Sequence, residues 1–374
     1  MGQAYICRRG GGAKVPVKSD VNFYDFDGTF VAGYTVEEAQ NLTALPKAPN
    51  LESRTNVPLV FQQWNYTLAE IKLEARPLDI VAERITADGK THFNFRPLGT
   101  SSGARTLTIR VYKDDTKKLT VNWGDGTTPT ENTSTGAQTI THTYSEVASY
   151  HVTLSIESGG TYALGYIFDA ATASQFATPA NALHGELNIG AGVTRLATGA
   201  FYASTVKAVS IPSSVQQFYR DVMSNMPLLK LAYMPHGALA VANLEVVHTC
   251  RGLAVCSLPR MTNYLATTLD NCSAVERIIV PYGVTSVPTF FARSCYNAVY
   301  VDIPSTVTDI GEALGTMSSA VLYIVCRATT PPTLASSAFS DINGASVIAV
   351  PNASLNAYKT ATNWSAHASK MVGF

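Results

Sequence analysis

VSIPSSVQQF at residues 209–218, IIVPYGVTSV at 278–287 and VDIPSTVTDIG at 301–311 are three copies of one pattern, and their reading decides the fold. Each opens with an apolar-x-apolar-Pro tetrad. The tetrad recurs at Pro235, Pro259 and Pro351, so from Pro212 the prolines follow at 23, 24, 22 and 23 residues, then at 47, a double step with Arg327 at the skipped place. Counting back 22 residues from Pro212 lands on Gly190, in LNIGAGV. A fixed period of this length marks a solenoid, because one repeat cannot bury its own apolar face and stacked neighbours can. Strand alternation assigns the faces. Residues one and three before each proline point inward, as Val209 and Ile211, Ile278 and Val280, or Val301 and Ile303. Residues two and four before it point outward. Proline ends each strand, where its missing N–H costs little.

The outward positions include Tyr233, Arg277, Tyr300, Asp302 and Tyr323. They share one sheet face, and tyrosine and arginine are enriched in binding hot spots. The register therefore predicts a partner-binding surface at these five residues, of residue types that suit a protein or glycan surface. It also predicts that Asp302→Ala is nearly silent, whereas Ile303→Asp disrupts the stack. Cys250, Cys272 and Cys295 each stand nine residues before a repeat proline, and Cys256 and Cys326 stand at inward positions. All five are expected as buried, reduced core thiols rather than metal ligands.

Composition bounds the function. The chain has 374 residues, 46% of them hydrophobic and only 14% charged, with Lys+Arg and Asp+Glu equal at 27. That length implies two or three domains. A balanced charge argues against a general nucleic-acid binder and against electrostatic membrane docking, and so few charges favour self-association. No apolar run reaches the ~20 residues that span a bilayer. The first twenty residues lack the apolar core and cleavage site of a secretory signal, so the chain is expected to be made in a cytoplasm without export. Arg8, Arg9, Gly10, Gly11 and Gly12 form a flexible basic leader that is expected to order against an assembly partner.

Ahead of the repeats the chain divides further. Residues 1–20 are the extension and 21–84 a small α+β attachment unit. In that unit, Val21–Phe26 alternates like a strand, Thr35 with Glu38 forms a capping box, Gln63-Trp64-Asn65 stands out, and Thr67 starts a second helix. Residues 85–160 are all-β. There, Trp123-Gly124-Asp125-Gly126-Thr127, then His142-Thr143-Tyr144, then Tyr150–Leu154, resemble a PKD domain, an immunoglobulin-like β-sandwich. Residues 161–186 are read as a linker, 187–351 as the solenoid and 352–374 as a C-terminal cap with a helix over 355–359. The repeats resemble the BspA-type leucine-rich repeat. The expected fold is thus multidomain and mainly β, and a fragment starting near residue 85 is expected to fold alone.

Asp25-Phe26-Asp27-Gly28-Thr29 matches the first motif of haloacid-dehalogenase-type phosphatases, but no doubly wound domain follows, so it reads as a strand and an Asp-Gly turn. The solenoid's acids are scattered rather than paired, and no nucleophile elbow, P-loop or zincin motif is present. No enzyme, cofactor or metal is expected. As a whole the order of parts is similar to leucine-rich-repeat proteins of phages and prophages of gut Firmicutes. That resemblance implies a virion structural protein in a tail, baseplate or head fibre. Its N-terminal region would bind other virion proteins, its repeats would carry host attachment to a bacterial surface protein or glycan, and it would form a homo-oligomer, with a trimer as one option. The alternatives are a bacterial cell-surface adhesin and a cytosolic interaction scaffold.

Overall fold

A computed structural model describes residues 20–51, 57–169, 183–240, 247–258, 268–312, 321–340, 342 and 344–374. Over these residues the chain is mainly β. The N-terminal unit comprises β1 (Val21–Tyr24), β2 (Phe30–Tyr34), α1 (Val36–Gln40), β3 (Leu59–Trp64), α2 (Leu68–Glu74) and β4 (Leu78–Thr86). Its sheet runs β2-β1-β4-β3, with β1 and β4 parallel. Both helices begin with a capping box, Thr35 with Glu38 and Thr67 with Glu70, which satisfies the first free amides of very short helices. Phe23, Trp64, Ile71 and Ile80 fill the unit's core.

Next come β5 (Thr91–Phe95), β6 (Thr106–Lys113), β7 (Leu119–Asn122), β8 (Thr130–Asn132), β9 (Gly136–Thr143) and β10 (Tyr150–Ile156). They make two antiparallel layers, β5-β10-β7-β8 and β6-β9, around a shared core. The Trp-Gly-Asp-Gly turn explains itself in contacts. Trp123 is buried, donates Nε1–H to Thr130 Oγ1 at 2.9 Å, and stacks on His142 with ring centroids 4.8 Å apart. His142 Nε2 meets Asp125 Oδ2 at 2.6 Å, and Tyr144 donates its hydroxyl to the Trp123 carbonyl at 3.0 Å. Gly124 has φ +76, and a Cβ there would collide with the His151 carbonyl.

The stretch read as a linker is instead a splice. Strand β11 (Tyr162–Asp169) pairs antiparallel with β6 and, on its other edge, parallel with β13 (Val193–Leu196). Strand β12 (Leu183–Asn188) likewise pairs antiparallel with β5 and parallel with β14 (Thr205–Ser210). Each layer of the sandwich therefore shares a sheet with the first coils of the solenoid. The change from antiparallel to parallel pairing is made on β11 and β12, and register shifts accompany it on both strands. Residues 170–182 lie outside the described residues. Gly190 departs from the repeat proline for a packing reason. In this first coil the turn at Gly89–Thr91 occupies the place, and a Cβ would collide with the Gly89 carbonyl.

The solenoid continues through β15 (Gln217–Phe218), β16 (Leu231–Tyr233), β17 (Leu239–Ala240), β18 (Val255–Ser257), β19 (Arg277–Ile279), β20 (Ser286–Val287), β21 (Tyr300–Ile303), β22 (Asp309–Ile310), β23 (Tyr323–Cys326), β24 (Thr333–Leu334) and β25 (Val347–Val350). All pairing within it is parallel, with β16-β18 and β19-β21-β23-β25 on one face and β13-β15-β17 and β20-β22-β24 on the other. The predicted inward residues are buried throughout. The expected terminal helix is α3 (Leu355–Thr360), followed by β26 (Met371–Gly373), which adds a parallel strand to β25. Trp364 closes this end, its Nε1–H donated to the Pro332 carbonyl at 2.7 Å.

The N-terminal unit does not stand apart. It lies on the solenoid's outward face with β4 against β18 and β14. The apolar cores interlock: Ile279 of the solenoid joins the core of the unit, while Tyr24, Phe26 and Val81 join the large core of the sandwich and solenoid. Among the described residues no helix is long and apolar enough to cross a membrane.

Candidate functional site

The five residues expected to form an exposed binding face do share a face, and β19, β21 and β23 align Arg277, Tyr300 and Tyr323 in register. That face is covered. Tyr233 is 2% exposed, and its hydroxyl accepts the Ile211 N–H at 2.7 Å and donates to the Ile211 carbonyl. Asp302 is 0% exposed and sits between Arg76 at 3.0 Å and Arg327 at 2.7 Å, with the Tyr300 hydroxyl donating to it at 2.9 Å. Arg277 reaches Asp79 at 3.4 Å and donates to the Asp20 carbonyl at 2.7 Å. Tyr300 and Tyr323 are half-buried. Of the five, Arg277 and Asp302 are engaged by the chain's own N-terminal unit, through Asp79 and Asp20 and through Arg76. The assembly residues Arg8, Arg9, Gly10, Gly11 and Gly12 lie outside the described residues.

The seam is polar as well as apolar. Burial alone would raise the Asp302 carboxyl, but Arg327 and Arg76 outweigh it and hold the group below its ordinary range. Asn65, from the Gln-Trp-Asn stretch, accepts the Val81 N–H at 2.7 Å and donates to Ser257 Oγ at 2.9 Å, tying unit to solenoid. Glu83 accepts the His236 backbone N–H and Gln63 Nε2–H, yet burial dominates and its carboxyl is pushed up to about 7.

The phosphatase-like stretch carries no phosphatase geometry. Asp25 is buried in a two-point ion pair with Arg84, at 3.0 and 2.7 Å, and Asp27 accepts the Thr29 N–H of its own turn. The five solenoid cysteines are free and buried. Cys250 and Cys295 donate to carbonyls of the preceding coil, Met223 at 2.9 Å and Leu269 at 3.1 Å, which is the ladder their spacing predicts. Among the described residues no group of three or more His, Cys, Asp or Glu is placed to hold a metal.

What remains open is a cleft of about 390 Å³ where the three parts meet. The sandwich contributes His92, Asn94 and His151, the first solenoid coils Glu186, Asn188, Lys207 and Lys230, and the N-terminal unit Asp27. A hydrogen-bonded chain orders one wall: Asp88 to His92 Nε2 at 3.0 Å, His92 Nδ1 to His151 Nε2 at 2.9 Å, and His151 Nδ1 to Asn94 at 3.0 Å. Burial, and then the charge of His92, lowers the His151 ring below its ordinary value. Glu186 and Asn188 pair with Ala208 and Ser210, so they occupy the same outward columns as Arg277 and Asp302. Counting back to Gly190 locates this coil in the sequence, but the outward residues named there begin only at Tyr233. Extending the outward rule to the Gly190 coil is the signal that finds them.

A family model for the BspA type leucine rich repeat region matches residues 180–266 and 246–321, in six copies. The chain carries a BspA-type leucine-rich repeat region. The BspA-type repeats thus begin at the splice. A leucine rich cell surface protein from Faecalibacterium prausnitzii A2-165 is similar in structure, at 16% sequence identity and a TM-score of 0.33, over 52% of this chain and 51% of that one. This chain therefore spans about half the length of that protein. No curated protein matches.

Proposed function

We propose that this is an adhesin-like protein of a bacterial cell surface, acting by binding rather than turnover. The observation that carries the reading is the BspA-type repeat region at residues 180–321. The relative from F. prausnitzii is named a cell surface protein, which agrees with it. The splice gives the reading a mechanical sense. Two sheets bridge the junction, one ending at β14 and the other at β17, so the sandwich is joined to the first coils on both faces. The PKD resemblance fits the sandwich as a spacer ahead of the repeats, on the strength of the Trp123–Thr127 turn and its His142 and Tyr144 partners.

The virion reading shares this architecture and differs in where the chain resides. Immunogold electron microscopy of cells and particles from the source separates the two. Label on the cell envelope is the expected result, and label confined to phage particles would replace the adhesin reading with the virion one. Adsorption of purified protein to intact bacterial or epithelial cells tests adhesion itself.

A further inference from the structure

We propose that the free edge of β9 pairs with β9 of a second copy, so that two chains join antiparallel about a twofold axis at the sandwich. The proposal goes beyond the adhesin reading and does not rest on it. Strand β9 is the last of its sheet, after β6, and among the described residues no strand pairs with its other side. The phase of the β6–β9 ladder shows which backbone groups are left over. Tyr144 donates its N–H to the Arg105 carbonyl at 3.0 Å, and the register continues unbroken from Thr106 opposite Thr143 to Lys113 opposite Gly136. Antiparallel bonding alternates along a strand, so His142, Ile140, Gln138 and Gly136 bond to β6 as Tyr144 does. Ala137, Thr139, Thr141 and Thr143 therefore turn their N–H and C=O groups to the open side, and all four residues are exposed.

Other sheet edges in this protein are blunted. In the two spliced sheets, β8 and β17 have three residues or fewer, and β14 carries the exposed Lys207. In the N-terminal sheet, the ladders of β2 and β3 carry register shifts. Short edges, bulges, charges and prolines are the devices that stop a sheet from pairing with another chain. Strand β9 has none of them. Its eight residues contain no Asp, Glu, Lys, Arg or proline, and its ladder has no shift.

A second copy is the partner that fits, because the four leftover residues are self-complementary. In a closed twofold contact, residue i meets j and j meets i. An axis through Ile140 sets Thr139 against the partner's Thr141, and Ala137 against the partner's Thr143. Every leftover group then finds a mate, since each of the four residues donates one bond and accepts one. An axis through Thr139 or Thr141 carries one end of the four past the end of the partner's strand. The facing side chains are threonine with threonine and alanine with threonine, which meet without charge repulsion. The chain's zero formal charge leaves no net repulsion between copies. The contact lies at the sandwich end of the sheet, with β13, β15 and β17 at the other end.

The test uses the full chain under reducing conditions, so that no disulfide imitates the contact. Sedimentation velocity from micromolar to near-millimolar concentration should show a dimer, twice the 40.0 kDa mass of the chain. Thr139→Pro removes an N–H that β6 does not use. It should keep the parent circular dichroism spectrum and abolish the dimer. Side-chain changes give a second route that leaves the backbone intact. Thr139→Lys combined with Thr141→Lys sets like charges opposite each other, and Thr139→Glu combined with Thr141→Glu does the same. Each double variant should be monomeric alone, and an equal mixture of the two should recover the dimer. A monomeric parent protein overturns the proposal. So does a dimer that persists in both double variants, which would put the contact elsewhere, or a mixture of them that stays monomeric, which would break the register through Ile140.

Discussion

Asp302 shows how far one residue's meaning depends on what lies above it. Read as an outward position it is a dispensable surface acid. In the fold it is a buried carboxylate shared by Arg76 and Arg327. Removing it takes the shared carboxylate from Arg327 and leaves Arg76 with Glu74 only, so Asp302→Ala should cost about 3–5 kcal/mol in a denaturant melt. Asp309→Ala, on the exposed opposite ladder, should stay within about ±0.5 kcal/mol. Equal effects would show that the seam is not closed in solution. Glu83 behaves oppositely to Asp302. Its carboxyl lies at about 7 in the fold against an ordinary 4.5. The stability tied to its protonated form is therefore fully present below pH 4.5 and is lost as pH rises through about 7. The gap corresponds to at most on the order of 3 kcal/mol. Glu83→Gln should flatten this part of the stability profile and raise the melting temperature at pH 8, and a profile unchanged from the parent would contradict the assignment. The cysteines make a third case. Burial pushes the Cys250, Cys256 and Cys295 thiols well up and Cys326 to about 11. Native alkylation should leave these four and the equally buried Cys272 unlabelled until denaturant is added. Rapid native labelling of Cys272 or Cys295 would contradict the inward ladder.

At the scale of the element, the informative strands are β11 and β12. Each carries two pairing modes on its two edges, and the shifts in register are where the modes are reconciled. The Gly190 site follows from the same junction, since the backbone at Gly89–Thr91 leaves no space for a side chain. Gly190→Val should loosen the splice, and hydrogen exchange should quicken in β5 and β12 ahead of β21 and β23. Uniform exchange across all four strands would mean that sandwich and solenoid unfold as one body regardless of the junction. The inward prediction for Ile303 stands as the register placed it, with the residue 1% exposed in the stack.

For the whole molecule, the N-terminal unit packs on the solenoid, where a chain starting near residue 85 is expected from sequence to fold alone. The unit's strand β4 packs on β14 and β18, and the buried Ile279 enters the unit's core. A chain beginning at Ala87 would expose Ile279 together with Asp302. It should melt lower than the intact protein, bind anilinonaphthalene sulfonate and associate. A dye-silent monomer with an unchanged melt would restore the autonomous unit.

The period of the prolines, the alternation around them and the cysteine spacing determined the solenoid, its register and its inward side chains from sequence alone, and the resemblance to BspA-type repeat proteins supplied the closing helix. These are local and periodic properties: burial of every third-strand neighbour repeats the same demand at each turn, and the chain states it each time. The Trp-Gly-Asp-Gly turn was legible for a similar reason, because its partners lie within about one hairpin of it. Only the tertiary structure decided which outward face is free. The pairing of Asp302 with Arg76, 226 residues apart, and of Asn65 with Ser257, 192 apart, leaves no periodic trace. A buried ion pair and an exposed binding patch draw on the same residue types, Arg, Asp and Tyr. The difference between them is the desolvation imposed by a second surface, and that surface exists only once the chain has folded back on itself.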